Sequence, residues 1–436
     1  MPASALVLFP ATSDVSFNLP YYANTHMPLV SKQWGKYGLR DWKVVELADS
    51  PDGSRPYIVA ALLTWDSLDG LRQALASEEA KAVFEDASNF CHLIHQFLSL
   101  FRMSAALVLL TGSTGHVGYA NLIEALKKGY KVRAAVRSES KAATVKNAKP
   151  TQPYLGQLTF TTVPDIQKEG AFDEAVKGVD YVIHTASPLP VPSDDDEKNI
   201  IRPAINGTLS ILHSALKEPS IKKVVLTSSV AAVFPSEPGK PFVVEHVEAD
   251  PKGPYPDTFS AYSASKKLTL YRTYDFIRDN KPKFSIINIM PSFVIGRNEL
   301  ATTPKAIVSG SNALALGPLV GNKSDTPTPS FVCHIDDVAF VHVAALDPKI
   351  TENQNFGVNY TSSNPINWDD AIDIVKRHFP QEVEAGVFPL GGTLPSVHVP
   401  FDASKTEKTL GLKFKGYEEQ IVNLAGWYAQ AVANAN

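Results

Sequence analysis

The stretch Thr111-Gly112-Ser113-Thr114-Gly115-His116-Val117-Gly118 lies between an apolar run, residues 105–110, and a helical pattern, residues 119–128. In a strand, turn and helix of this kind, the first glycine allows a tight turn and the second lets the backbone approach a pyrophosphate. The third glycine lets the helix pack close to the strand. The helix N-terminus also offers unpaired N–H groups and a positive dipole end to phosphates. The whole stretch except Ser113 is therefore a predicted dinucleotide site, and its alternative interpretation is a plain strand-to-helix turn.

Length, charge and cysteine content restrict the class of protein. A chain of 436 residues is long enough for two or three domains. Its net charge of −4 gives no reason to expect nucleic acid or a membrane surface as a partner. The two cysteines, Cys91 and Cys333, match neither a disulfide framework nor a zinc spacing, so we expect a reducing, cytoplasmic compartment and no metal. Residues 1–10 lack the basic start of a signal peptide, and the uncharged run 306–322 is interrupted by Gly, Ser and Pro.

The first 90 residues read as a small α+β unit of their own. Their pattern predicts the order β-α-β-β-α, which is typical of a ferredoxin-like split βαβ unit. The predicted strands are residues 5–9, 42–47 and 57–65, and the predicted helices are residues 21–37, 67–76 and 78–87.

This segment resembles the EthD family of small α+β barrels in three runs of sequence. They are Tyr21-Tyr22…His26-Met27-Pro28-Leu29-Val30, Tyr57…Leu63-Thr64-Trp65 and Asp86…Asn89-Phe90. The resemblance implies a homodimer formed through the N-terminal sheets. It also implies, from some relatives, that His26 is a general base in a cyclase- or lyase-like reaction on phenolic or polyketide-like substrates. The alternative for His26 is a half-buried, hydrogen-bonded helix histidine.

The end of this segment departs from the family. A further strand is expected after Phe90, whereas residues 91–102 are apolar and contain neither Gly nor Pro. We interpret residues 91–103 as a connector, one form of which is a helix, and expect an incomplete barrel if the strand is missing.

From residue 104 onward, strands and helices alternate. Repeated βα units predict a doubly wound Rossmann sheet of parallel strands, with the ligand across their carboxyl ends, over residues 104–290. The predicted strands are residues 105–110, 132–136, 158–163, 181–185, 223–226 and 285–289; the predicted helices include residues 171–176, 196–217 and 260–279. Residues 291–436 are less regular and are expected to form a small, mostly helical substrate-binding part.

The end of the second predicted strand indicates which dinucleotide binds. Arg137 stands nineteen positions after Gly118, where an NAD site tends to have an acidic residue, and Lys141 follows one helical turn later. Positive charge at this position favours the 2′-phosphate of NADP. Solvated surface charges are the alternative interpretation of Arg137 and Lys141.

Asp165 and Ile166, after the third strand, are placed to contact the adenine. Thr185, Ala186 and Ser187, after the fourth, are small enough for the cofactor to pass.

Three polar residues form a predicted catalytic group. Tyr262 and Lys266 are four positions apart and share one helix face, and Ser229 ends a strand that faces the same crevice. Tyrosine can donate the proton that a carbonyl oxygen needs when hydride arrives at its carbon. The Lys266 ammonium would lower the pKa of the phenol, and the Ser229 hydroxyl would orient the carbonyl. The pattern predicts reversible reduction of an aldehyde or ketone.

Residues 104–436 resemble the extended short-chain dehydrogenase/reductases, in the dihydroflavonol-reductase-like group that includes NADPH-dependent methylglyoxal and ketone reductases. The matching runs are the glycine turn, Val136-Arg137-Ser138, His184-Thr185-Ala186-Ser187-Pro188, Val225-Leu226-Thr227-Ser228-Ser229, Tyr262-x-x-x-Lys266 and His334-Ile335-Asp336-Asp337-Val338-Ala339. The resemblance implies a triad of Ser229, Tyr262 and Lys266, with Asn206 supporting the lysine through a water. It also implies that Pro291, Ser292 and Val294 cover the nicotinamide.

Two alternatives to a reductase stay open. Members of the extended family also include epimerases and dehydratases, which use the cofactor transiently and do not consume it. A non-catalytic dinucleotide-sensing module is the third reading, and the intact triad argues against it. One departure concerns the loop after Gly296, where Arg297 replaces the proline common in the family.

Overall fold

The computed structural model describes residues 3–11, 17–49, 55, 57–91, 106–187, 193–235, 241–362 and 365–435. They divide into two compact units, Met1–Ser104 and Ala105–Asn436, each with its own apolar core. Apart from Cys91, the predicted connector lies outside the described residues, so its structure stays a prediction. No helix in the described parts of the chain is long and apolar enough to cross a membrane.

The first unit has one antiparallel sheet covered by helices. Strands β1 (Ala3–Pro10), β2 (Leu39–Glu46) and β3 (Tyr57–Trp65) are arranged in the order β1-β3-β2. Two helical turns, Leu19–Tyr21 and Tyr22–His26, lead into α1 (Met27–Trp34), and α2 (Leu68–Ala76) and α3 (Glu78–Glu85) follow β3. The element order is the predicted β-α-β-β-α, while the relation to the EthD family stays a prediction.

Local signals explain where the helices of this unit begin. The Ser67 and Ser77 hydroxyls accept hydrogen bonds from backbone N–H groups in the first turns of α2 and α3. Two fully buried tryptophans, Trp34 and Trp65, anchor α1 against the sheet. Cys91 forms one isolated antiparallel bridge with Phe17, and the residues where a fourth strand would continue lie outside the described ranges.

The second unit is built on a seven-stranded parallel sheet, as predicted. In chain order the strands of the unit are β4 (Leu107–Thr111), β5 (Lys131–Val136), β6 (Leu158–Thr162), β7 (Tyr181–His184), β8 (Lys223–Thr227), β9 (Ser285–Pro291), β10 (Phe293–Ile295), β11 (Thr328–Pro329), β12 (Val332–His334), β13 (Gln354–Val358) and β14 (Ser396–Val397). Seven of them form the sheet, in the order β13-β9-β8-β7-β4-β5-β6. Every residue of β7 and β9 is buried, because helices cover both faces of the sheet.

The helices of this unit lie where the sequence pattern places most of them. They are α4 (His116–Lys127), α5 (Glu139–Asn147), α6 (Arg202–Leu216), α7 (Thr258–Asn280), α8 (Pro304–Ile307), α9 (Asn312–Leu316), α10 (Ile335–Ala344), α11 (Asp370–His378), α12 (Pro380–Glu384), α13 (Ser404–Leu410) and α14 (Tyr417–Ala433). A second apolar cluster, centred on Trp368 and Leu424, holds the C-terminal helices together. Two short parallel pairs, β10 with β12 and β11 with β14, complete this part.

One helix prediction was wrong. Residues 171–176 form a series of turns rather than a helix. Their backbone hydrogen bonds mix three- and four-residue spacings, and Gly170 and Gly178, both with positive φ, lie on either side. The Asp173 carboxylate is engaged by Ser214 and Lys217 of the following helical segment, which fixes the segment through side chains instead.

The glycine turn brings α4 against the end of β4. Gly112 has φ +78, and a Cβ there would lie 2.8 Å from the backbone N of Ala186. A Cβ on Gly118 would lie 2.0 Å from the Gly112 carbonyl oxygen, so only glycine permits this approach of helix and turn. Gly115, by contrast, is exposed, and its backbone faces open space at the start of α4.

Candidate active site

The ends of β4 and β7 are joined by the hydroxyl of Thr111, which is buried. Its oxygen accepts hydrogen bonds from the backbone N–H groups of Thr185 and Ala186, both at 3.1 Å. The hydroxyl proton is therefore directed to Nδ1 of His184, 3.0 Å away. Burial, with the nearby charge of Lys266 adding to it, lowers the pKa of His184 to about 3, so the ring is neutral and accepts that proton.

A second polar chain joins β7 and β8 to α10. His342, which is fully buried, donates from Nδ1 to the Val338 carbonyl at 2.7 Å, and its Nε2 lies 2.7 Å from the Thr227 hydroxyl. The Thr227 and Thr185 hydroxyls are 3.1 Å apart, and the Asn121 amide of α4 donates to Thr185. Burial lowers the pKa of His342 to about 4, which keeps the ring neutral. The chain holds the two strand ends beside each other.

Helix α7 carries Tyr262 and Lys266 to this edge of the sheet. Asp257 caps the helix by accepting the Ser260 N–H at 2.7 Å. The Ser263 hydroxyl then donates to the Ala231 carbonyl at 2.8 Å, which fixes α7 against the turn that follows β8. Ser229 begins that turn, and its hydroxyl accepts the Ala231 N–H at 3.1 Å.

These contacts bring the predicted triad together. The Ser229 side chain lies close enough to the Tyr262 hydroxyl to oppose the rise in its pKa, and the Lys266 Nζ lies 5.6 Å from the centre of the Tyr262 ring. Lys266 donates to the Ser187 hydroxyl at 3.1 Å, so a residue predicted to line the cofactor holds the lysine in this structure. The contact between Lys266 and Ser187 was not among the predictions, and the catalytic roles of the three residues stay predictions.

Burial changes the proton affinities of this group in opposite directions. It raises the pKa of Tyr262, an effect that the nearby Ser229 hydroxyl opposes. It lowers the pKa of Lys266 to about 8. At neutral pH the tyrosine is a phenol that can give up a proton, and the lysine is a cation beside it.

The predicted cofactor residues line the same edge, with different side-chain exposure. Arg137 and Lys141 are exposed at the end of β5 and on α5. Asp165 is exposed and caps the Gln167 N–H at 2.9 Å, while Ile166 packs on Gly207 of α6. The turn of Gly112 and Gly115 lies at the N-terminus of α4, and its binding of a pyrophosphate stays a prediction.

Other predicted residues are placed less directly. Asn206 is exposed on α6, and no direct hydrogen bond joins it to Lys266, so its water-mediated role stays a prediction. Ser292 is buried, and its hydroxyl donates to the Val358 carbonyl at 3.2 Å. The Ser292 side chain is therefore occupied by the fold. Pro291 ends β9 and Val294 is buried in β10, while Phe293 between them is half-buried.

The loop with Arg297 is fixed by two asparagines. Asn312 bonds both the N–H and the carbonyl of Gly296, at 3.0 and 2.9 Å. Asn423 accepts the Arg297 N–H at 2.9 Å, while the Arg297 guanidinium lies over Trp427 and pairs with Glu299. Burial lowers the pKa of His116, which faces the Arg297 backbone, to about 4. Sequence reasoning missed both asparagines, since neither belongs to a local motif.

His26, the candidate general base of the first unit, lies in a buried hydrogen-bonded group. His26 is buried, and its Nδ1 lies 2.9 Å from the Asp86 carboxylate. Asp86 also accepts hydrogen bonds from Tyr21 and Asn89, both at 2.9 Å. Burial lowers the pKa of His26 more than Asp86 raises it. His26 thus has the hydrogen bond of the structural alternative, and its catalytic interpretation stays a hypothesis.

Comparison with known proteins agrees with the fold of the second unit. The model of the NAD dependent epimerase/dehydratase family matches residues 108–358. The chain belongs to that family. It is 37% identical to the ketoreductase CTB6 of Cercospora beticola, over 75% of this chain and 96% of the relative. It is 38% identical to the NAD-dependent epimerase/dehydratase ALT6 of Alternaria alternata, over 72% of this chain and 95% of the relative.

A solved structure has the same fold as the second unit. The NADPH complex of the yeast methylglyoxal/isovaleraldehyde reductase Gre2 superposes with a TM-score of 0.60 at 26% identity, covering 75% of this chain and 99% of that one. The predicted resemblance to extended short-chain dehydrogenase/reductases is therefore confirmed for the second unit, as is its Rossmann sheet.

The Thr111 hydroxyl offers a direct test of how the site is assembled. We expect Thr111→Val to lower the free energy of unfolding by about 2–4 kcal/mol, because two buried N–H groups and a histidine nitrogen lose their partner. Urea unfolding measures the change. Thr111→Ser keeps the hydroxyl and is expected to cost less than half as much; equal losses for the two variants would contradict the hydrogen-bonding role.

Proposed function

We propose that the second unit is an NADPH-dependent reductase that converts an aldehyde or ketone into an alcohol, reversibly. The observation that carries the proposal is the Lys266 ammonium 5.6 Å from the centre of the Tyr262 ring, with Ser229 near the Tyr262 hydroxyl. The names of the ketoreductase relative and of the Gre2 complex support it.

The chemistry of the site follows from these three side chains. NADPH, when bound, supplies the hydride to the carbonyl carbon. The Ser229 and Tyr262 hydroxyls hydrogen-bond the carbonyl oxygen, and Tyr262 transfers its proton to that oxygen as the C–H bond forms. The phenolate left behind is stabilised by Lys266 and regains a proton before the next turnover. Ser187 positions the lysine before substrate enters.

The cofactor preference rests on the exposed cations at the end of β5. Arg137 follows the last residue of the strand, and Lys141 lies on α5, so both are free to pair with a 2′-phosphate. The glycine turn and the start of α4 would hold the pyrophosphate through backbone N–H groups. This arrangement favours NADPH over NADH.

Substitution of the proton donor tests the reaction. We expect Tyr262→Phe to lower kcat for NADPH oxidation with a ketone by about 100-fold or more, because general-acid catalysis contributes at least that much. NADPH oxidation at about 340 nm measures turnover, and NADPH fluorescence checks that binding persists. Unchanged turnover would overturn the mechanism. Tight NADPH binding without net oxidation by any carbonyl would favour the epimerase or dehydratase alternative.

Charge reversal at the end of β5 tests the cofactor assignment. We expect Arg137→Glu to weaken NADPH binding by about tenfold or more and to leave NADH binding within about twofold, because only NADPH presents a phosphate there. Fluorescence titration with both nucleotides measures the change. Lys149→Glu, which changes an exposed charge at the start of the helical turns before β6, is the control. Equal losses for NADPH and NADH would show that Arg137 has no 2′-phosphate role.

For the first unit we propose a dimerisation role. The outer face of its sheet exposes Leu6 and Leu62, which lie opposite each other on β1 and β3, and Val45 on β2. An apolar sheet face of this kind suits a second copy of the same face, because a twofold contact pairs like with like. The alternative cyclase- or lyase-like role rests on His26 and Asp86.

The oligomeric state tests this role. Sedimentation velocity of the full chain at micromolar concentration is expected to show a dimer, and Leu62→Lys is expected to make it monomeric by placing a charge in the apolar face. Leu155→Lys, at an exposed leucine of the second unit, should leave the dimer intact. A monomeric unmodified protein would contradict the proposal.

A further inference from the structure

An exposed aromatic ring stands next to the proton donor. Phe259 lies in the first turn of α7, three positions before Tyr262, and 43% of its surface is exposed. The centres of the two rings are 6.4 Å apart. Asp257 caps the same turn, so the position of the ring is fixed by the helix and not by a loose loop. A large apolar side chain held open beside a reactive hydroxyl is typical of a substrate contact.

Two further phenylalanines lie close in sequence to other predicted site residues. Phe234 comes just after the turn that Ser229 begins, and Phe293 lies between Pro291 and Val294. Both side chains are partly exposed, and both pack on the buried Phe331, with ring centres 6.2 and 5.3 Å from it. A phenylalanine that is at least partly exposed therefore lies near Ser229 (Phe234), near Tyr262 (Phe259) and in the predicted nicotinamide segment (Phe293).

The reaction itself limits where a substrate can lie. A carbonyl oxygen that takes the Tyr262 proton must be about 2.6–3.2 Å from its hydroxyl. The groups attached to the carbonyl carbon then lie within a few ångströms of the tyrosine ring. Aromatic rings interact at centre separations of about 4.5–7 Å, so a ring attached to the carbonyl is within reach of Phe259.

The charged groups near α7 already have partners. Lys266 is bonded to Ser187, and Lys267 donates to the Glu248 carboxylate at 2.7 Å. Glu248 is itself held by the Tyr271 hydroxyl through its backbone. The cations on this stretch of helix are thus engaged, which favours an uncharged substituent over a carboxylate or phosphate.

We propose that Phe259 is a specificity residue that packs against an uncharged aryl group attached directly to the reacting carbonyl. The proposal rests on the reductase function above and adds the substrate class to it. The enzyme prefers aryl ketones to aliphatic ketones of the same carbonyl chemistry, and most of that preference depends on the Phe259 ring.

Two keto esters that differ in one substituent provide the test, and each has a single ketone. In ethyl benzoylformate a phenyl group replaces the methyl on the ketone carbon of ethyl pyruvate, so the aryl group is attached to the carbonyl that is reduced. The unmodified protein is expected to have the higher kcat/KM for the phenyl compound. Phe259→Ala is expected to lower kcat/KM for the phenyl compound by about tenfold and for ethyl pyruvate by less than about twofold, which is the size of effect that one buried aromatic contact produces. Leu216→Ala, at an exposed leucine at the end of α6, is the control and should change neither.

The outcomes separate this proposal from the reductase function. Turnover of ethyl pyruvate but not of the phenyl compound by the unmodified protein would overturn the aryl preference, and net oxidation of NADPH by no carbonyl at all would overturn the reductase function itself. Turnover with an equal loss for both substrates in Phe259→Ala, or with no loss, would overturn the role of Phe259 and leave the reductase function standing. Phe259→Trp keeps an aromatic surface and is expected to retain the phenyl preference, whereas Phe259→Leu loses it; both variants also serve if Phe259→Ala does not fold.

Discussion

The site depends on how closely the ends of two parallel strands can be held. The Thr111 hydroxyl accepts hydrogen bonds from two backbone N–H groups of the residues after β7. Gly112 lies so near Ala186 that a side chain on Gly112 would collide with the backbone of Ala186. Two features therefore hold these strand ends together: the Thr111 hydroxyl, and the absence of a Cβ at Gly112. Because Ser187 follows directly and holds Lys266, the position of this lysine is set by the same strand end.

Buried histidines support this arrangement without charge. His184 and His342 each lie in a polar chain that ends at a strand terminus, and burial keeps both rings neutral. A neutral imidazole offers one donor and one acceptor: Nδ1 of His342 donates to the Val338 carbonyl, and Nδ1 of His184 accepts the Thr111 proton. Protonation of His184 would place a second proton between its Nδ1 and the Thr111 hydroxyl, whose oxygen already accepts two N–H groups, which agrees with the low pKa of that ring.

Local patterns in the sequence predicted most of the second unit. The glycine turn and the pair Tyr262 and Lys266 depend on spacings of three and four residues, which one strand–turn–helix or one helix face converts directly into contacts. The sequence could not predict the contact between His342 and Thr227, whose partners are 115 positions apart. The three-residue strands β10 and β12 were missed because they are too short for an alternating pattern. The false helix at residues 171–176 had helical composition, but its glycines and the contacts of Asp173 determined the turns instead.

The burial of Lys266 reduces the stability of the folded chain. Its pKa falls from 10.5 to about 8 on folding, so between these pH values the unfolded chain binds a proton that the folded chain does not. Stability therefore rises as the pH increases through that interval, and below about pH 8 the buried ammonium costs on the order of 3 kcal/mol. A leucine or methionine would fill the same space without that penalty. Under the proposed mechanism this cost has a use, because a cation 5.6 Å from the Tyr262 ring would stabilise the negative charge left on that ring when the phenol gives up its proton.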